Sequence, residues 1–214
     1  MNLNDLLGAY RRHCEEQWSS DERAAWCAEL SRVRASGVCA TALKAGDLAP
    51  DIRVPALSRR LGAAPTTLYR LLNAGPLVLK FIPGRACPYT TLELRAYQRI
   101  FEHLKSHGGQ LLAVSASDAE DAALHRARDA LSFPVVADPE GDAARRFGVL
   151  VPGAPRAGPA PAGPAVCAGV MVLPATFVIG VDRRIVFAFV DPDPRQRAEP
   201  ALVARVMTGT ETSA

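Results

Sequence analysis

One cysteine has the setting in which a thiol does chemistry. Cys87 stands in Phe81-Ile82-Pro83-Gly84-Arg85-Ala86-Cys87-Pro88-Tyr89-Thr90, after an apolar run and before a segment of helical periodicity. A thiol at a helix N-terminus meets unpaired backbone N–H groups and the positive end of the helix dipole, which favour its thiolate. The thiolate is the nucleophile, and it is the form that oxidants attack.

The remaining candidates are weaker by type and spacing. Cys14, Cys27, Cys39, Cys87 and Cys167 form an odd, widely spaced set, unlike a secreted disulfide framework or the paired C-x-x-C of a zinc site. Cys14, Cys27 and Cys39 read as reduced thiols of a helical segment. Cys167 falls in a Pro/Gly/Ala-rich stretch that could carry it to Cys87 as a resolving partner, provided the Cα atoms approach within about 7 Å. His103 and His107 share a helix face but lack a third ligand, so no metal is predicted, and no cofactor either. Asp191 and Asp193 flank Pro192, where turn chemistry accounts for them. Lys80 is the unusual charge, an ammonium inside a run that otherwise reads as buried. It either lies beneath the active site and lowers the Cys87 pKa from the free value of about 8.5, or it snorkels or pairs with a carboxylate.

The elements that would position Cys87 follow from periodicity. Residues 1 to about 45 place Leu6, Tyr10, Trp18, Trp26, Leu30 and Val33 at roughly helical spacing, predicting an N-terminal helical extension. Prolines in 46–57 then disfavour helix and open a second domain, predicted over 46–207. Leu77 to Ile82 is a continuous apolar run apart from Lys80, suiting a strand covered on both faces. Leu94, Tyr97, Phe101 and Leu104 give one stripe on the helix that follows, ending near Gly108-Gly109. Leu111 to Ser115 is a second strand, and Ser117 to Glu120 reads as a capping box opening a helix to Leu131. A crossover of this length implies parallel pairing. Phe133 to Asp138 is a short edge segment, and Gly141 to Phe147 a helical turn or two. Residues 152–169 are too poor in large apolar groups to pack a core and read as a surface insertion. Pro174 to Gly180 and Ile185 to Val190 predict an antiparallel hairpin, a helix over Glu199 to Met207 closes the domain, and 208–214 reads as a tail. This order fits an α/β, thioredoxin-like three-layer sandwich with a central mixed sheet.

Composition bounds the function. A chain of 214 residues, 49% hydrophobic and 22% charged, can bury a full core. Its net charge of +3 is spread along the chain, which argues against a nucleic-acid stripe. No apolar stretch approaches membrane-spanning length and the N-terminus has no secretory pattern, so a cytoplasmic protein is expected.

The chain resembles the peroxiredoxin-like branch of the alkyl hydroperoxide reductase/thiol-specific antioxidant (redoxin) family. The resemblance runs over roughly residues 30 to 207. It is carried by Gly46 to Pro55, Gly75 to Tyr89, Thr91-Leu92-Glu93-Leu94-Arg95-Ala96, Pro174 to Ile179, and Phe187 to Asp193 with Arg197-Ala198-Glu199-Pro200. It implies that Cys87 is the redox-active cysteine and that Pro174 follows a cis bond and faces the sulfur. A homodimer is a family-level expectation. The departures narrow the chemistry. Relatives of this branch commonly carry C-P-x-C, but the fourth position here is Thr90, so Cys87 has no local resolving partner. The peroxiredoxin signature would place proline and threonine where Lys80 and Gly84 stand, and Pro174 holds a position often given to arginine. Donors that polarise a peroxide bond are therefore missing, and Thr90, Arg85 and Lys80 are the residues that could replace them.

The expected function is reduction of hydroperoxides by one cysteine, completed by an external thiol such as glutathione or a thioredoxin-like protein. Monothiol exchange with disulfide substrates and a redoxin-fold binding or sensor module are the alternatives.

Overall fold

The computed structural model describes residues 2–55, 65–83, 87–152 and 172–209. Arg85, Cys167 and nearly all of the predicted insertion 152–169 lie outside the described residues, as do 210–214 of the predicted tail.

The N-terminal extension consists of α1 (Leu3–Gln17), α2 (Ser20–Ala35) and α3 (Val38–Thr41). Asn2 with Asp5, and Ser19 with Glu22, form reciprocal capping boxes at the starts of α1 and α2. Each box satisfies backbone donors that the first helical turn leaves free. The chain then runs extended through β1 (Arg53–Val54), which pairs antiparallel with β2 (Thr66–Thr67), and α4 (Leu68–Leu72) follows. These three elements are too short to show a periodicity, and the sequence pattern did not predict them.

The main sheet is built from β3 (Leu77–Ile82), β4 (Gln110–Ser115), β5 (Val135–Ala137), β6 (Ala175–Ile179) and β7 (Ile185–Val190), in the order β5-β4-β3-β6-β7. β3, β4 and β5 run parallel, while β6 pairs antiparallel with both β3 and β7. Helices α5 (Pro88–Ser106) and α6 (Ala119–Arg128) supply the crossovers that parallel pairing needs. The helical turn predicted after β5 is α7 (Asp142–Arg146), and the closing helix is α8 (Pro200–Thr208).

β3 is central and buried along its whole length. Its period of two divides the core: Leu77, Leu79 and Phe81 pack with Phe147 and Phe177, while Val78 and Ile82 pack with Leu94, Tyr97 and Val203 beneath α5 and α8. A third cluster joins the extension to the domain, with Leu3, Leu7, Trp26, Val33 and Val38 meeting Cys87, Tyr89 and Leu173.

Two boundaries differ from the sequence reading. Asp118, not Ser117, caps α6, accepting from the Asp121 N–H at 2.8 Å, while the Ser117 hydroxyl lies 2.7 Å from that of Ser115. The helix stops at Arg128 rather than Leu131, because Ala130 takes a positive φ of 50° and Leu131 turns into the core.

Candidate active site

Cys87 sits at the N-cap of α5, with φ −80° and ψ 120°, and its carbonyl accepts the first helical hydrogen bond from Thr91 at 3.0 Å. Pro88 follows at the first helical position, where its missing N–H costs nothing. Strand β3 ends five residues earlier, and Cys87 stands at the positive end of a 19-residue helix. Cys87 is only 4% exposed. Its walls include Leu3 and Leu7 of α1, Trp26 of α2, Val38 of α3, and Leu173. Tyr10 of α1 meets Tyr89 edge-on, with ring centroids 5.1 Å apart. The N-terminal extension is therefore part of the site. Cys39 packs against the same cluster, and its thiol is pushed up first by burial and then by the charge of Asp191.

Thr90 lies one turn beyond Cys87 and is fully buried, but its Oγ1 has no hydrogen-bond partner. The hydrogen bond expected from Thr90 to the sulfur is not formed. Cys87 packs toward the extension, whereas Thr90 begins the i, i+3, i+4, i+7 stripe of Glu93, Leu94 and Tyr97 that turns to β3.

Lys80 has a buried carboxylate partner. Its Nζ lies 2.7 Å from Glu93 Oε1, donates to Thr176 Oγ1 at 2.7 Å, and stands 3.8 Å from the centroid of Tyr97. Glu93 Oε2 accepts from Arg197 Nε at 2.8 Å, and Arg197 Nη1 donates to the carbonyls of Pro194 and Gln196. Burial lowers the Lys80 pKa while the charge and hydrogen bond of Glu93 oppose that fall. The same burial, with the charge of Glu93, holds Tyr97 well above the ordinary phenol value. Glu93 and Arg197 were missed as site residues. The available signal was an acidic residue inside the apolar stripe of α5, at the helical spacing that faces Lys80.

Pro174 is buried directly before β6, whose Ala175 pairs with Phe81 at the end of β3. The expected cis bond is a correction: no cis peptide occurs among the described residues. Leu173 N–H bonds the Val149 carbonyl at 2.9 Å and Val172 bridges Leu150, so the chain already runs extended into β6 without a reversal at Pro174. The His103 and His107 rings stand 4.4 Å apart, and no metal-binding group of three occurs among the described residues. Asp193 is a turn residue as expected, its N–H bonding Asp191 Oδ1 at 2.8 Å. A cleft of about 730 Å³ opens beside β1 and the ends of β4 and β5, lined by Arg53, Val114, Asp138 and Arg146. No cysteine lines it, and it lies on the sheet face away from α5.

A central parallel strand that hands a walled-in cysteine to a helix N-cap, followed by an antiparallel hairpin, defines a thioredoxin-like redoxin. The AhpC/TSA family model matches residues 45–188, and the chain belongs to that family. Solved structures agree on the fold. Peroxidoxin BcpB from Mycobacterium tuberculosis is 23% identical with a TM-score of 0.59, covering 80% of this chain and 99% of its own. A cysteine-to-serine mutant of peroxiredoxin 6 of Arenicola marina is 18% identical with a TM-score of 0.59, over 79% and 74% of the two chains. A yeast mitochondrial 1-Cys peroxiredoxin, described with a thiol resolving mechanism via glutathione/thioredoxin systems, is 17% identical with a TM-score of 0.61, over 79% and 76%. No curated protein matches the chain.

Proposed function

We propose that the protein is a thiol-dependent peroxidase in which Cys87 works alone and an external thiol completes the cycle. The observation that carries this reading is Cys87 itself, at the N-cap of α5 inside an apolar wall, in a chain of the AhpC/TSA family. The Cys87 thiolate attacks the terminal oxygen of a hydroperoxide, the O–O bond breaks, and the alcohol or water leaves after taking up a proton. Cys87 is then a sulfenic acid. One external thiol condenses with it to a mixed disulfide and releases water, and a second thiol restores Cys87 as a disulfide of the reductant departs. Glutathione or a thioredoxin-like protein fits the reductant role. The Thr90 hydroxyl, buried and unpartnered one turn away, is the donor available to the sulfur or the departing oxygen. A reducing compartment such as the cytoplasm would keep Cys87 a thiol between cycles, and a homodimer remains part of this reading.

Rapid-mixing peroxide consumption with mass-spectrometric trapping of sulfenic acid tests it. The wild-type chain should consume hydroperoxide and yield the trapped adduct on Cys87, and Cys87→Ser should do neither. Glutathionylation of Cys87 by oxidised glutathione with no peroxide consumed would instead establish monothiol exchange.

A further inference from the structure

The polar groups between β3 and α5 form a charge cluster that the peroxide reaction above does not use. Lys80 comes from β3, Glu93 from α5, and Arg197 from the segment between β7 and α8; all three are buried. Glu93 is shared, with Oε1 on Lys80 at 2.7 Å and Oε2 on Arg197 at 2.8 Å. Two cations thus meet one carboxylate. Arg197 Nε and Nη1 are bonded, but its Nη2 is buried with no hydrogen-bond partner. Buried ions are costly, and apolar residues often fill such space with equal or greater stability. A cluster that keeps an excess cation therefore calls for a role beyond packing. Glu93 is six residues from Cys87 on one helix, about 9 Å along its axis at 1.5 Å per residue. Across a protein interior, a charge at that range still acts on an ionising group.

We propose that Lys80, Glu93 and Arg197 are positioning residues for Cys87: they tie the first turns of α5 to β3 and to the segment before α8, and their excess positive charge favours the Cys87 thiolate. This rests on reading Cys87 as the reacting nucleophile. Tyr10 of α1, Tyr89 of α5 and Cys39 of α3 are the titratable side chains in the apolar cluster of Cys87. Asp191 acts on Cys39, and Arg195 stands close enough to Tyr89 for their charges to interact. None of these five is altered in the variants below, so differences among pH profiles report the cluster.

The test measures iodoacetamide alkylation of Cys87 against pH in the full chain, followed on its peptide by mass spectrometry. At pH 7, Lys80→Met and Arg197→Met should each react up to about fifteenfold more slowly than wild type, the effect of losing one charge at roughly 10 Å with an effective dielectric of about 20. All should converge at high pH, where the thiol is fully ionised. Lys80→Met combined with Glu93→Gln removes one cation and one anion, and should return to within about twofold of wild type. A purely structural cluster would make the double variant worse than the single one. Wild-type rates in both single variants, or a double variant no faster than Lys80→Met, would overturn the proposal. If one single variant does not fold, the other and the double variant still decide. The reagent contains no peroxide, so the two readings fail separately. A chain that ignores hydroperoxides yet shows this order of rates loses the peroxidase and keeps the cluster, and a peroxide-reactive chain without the order does the reverse.

Discussion

Thr90 is where the sequence departs from a dithiol site, and the structure gives that departure a physical content. A fully buried hydroxyl with no partner forfeits its hydrogen bonds to water, at a cost of about 1–3 kcal/mol. The proposed mechanism gives this hydroxyl its acceptor only during reaction. Thr90→Val keeps the shape and removes the hydroxyl. Its melting temperature should match or exceed wild type, and its rate of Cys87 oxidation by hydroperoxide should fall about tenfold, the scale of one lost donor. A variant that melts lower and reacts at the wild-type rate would take Thr90 out of the chemistry. Lys80 shows the limit of residue-level reading. The sequence marked it as anomalous because a strand with no polar alternation has no place for an ammonium. Its partners are 13 and 96 residues away, at Glu93 and Thr176, and only the fold brings them to it.

At the scale of elements, strong periodicity was legible and short or long-range structure was not. β3, α5, β4 and the β6–β7 hairpin follow from apolar runs and stripes long enough to repeat. β1, β2 and α4 have two to five residues each and exist through pairing and packing rather than pattern. The attachment of α3 was equally hidden, because it is made largely to backbone carbonyls. Leu43 N–H bonds the Phe147 carbonyl at 3.1 Å, and Thr41 Oγ1 lies 3.3 Å from the Gly148 carbonyl oxygen. Gly148 takes φ +71°, and a Cβ there would collide with the Thr41 carbonyl oxygen. Gly148→Ala therefore combines left-handed strain with a backbone clash and should cost about 2 kcal/mol or more. For a chain of this size that is a fall of roughly 4–8 °C in melting temperature by calorimetry. An unchanged melting temperature would mean that α3 moves aside freely, and that the wall it gives Cys87 is loosely held.

Over the whole molecule, the extension is latched to the C-terminal segment by charge, which makes closure of the site depend on pH. Glu199 accepts from the Leu3 and Asn4 N–H groups at 3.1 Å each, holding the start of α1. Arg195 bonds Asp193 and Glu15, at 2.9 and 2.7 Å, and its guanidinium carbon stands 4.3 Å from the Trp26 ring. Burial pushes the Asp193 carboxyl up, but hydrogen bonds and charge from Arg195 outweigh it and hold the group below its ordinary value of 3.8. A carboxylate lowered in the fold stabilises it above pH 3.8, and that contribution is lost as the pH falls through the folded value. The latch should thus be intact at neutral pH and fail only in acid below about pH 4. Both tryptophans of the chain, Trp18 and Trp26, lie in the extension, so intrinsic tryptophan fluorescence reports on this part of the molecule. Wild type should show a red shift of emission below about pH 4 while far-ultraviolet circular dichroism still reports a folded domain. Asp193→Asn leaves Arg195 without its main carboxylate, so its emission should already be shifted at pH 7 and Cys87 should alkylate faster than in wild type. If emission in Asp193→Asn matches wild type at neutral pH, the Arg195 latch does not hold the extension, and the apolar contacts of Leu3, Leu7 and Trp26 with the cysteine cluster are sufficient to keep the site closed.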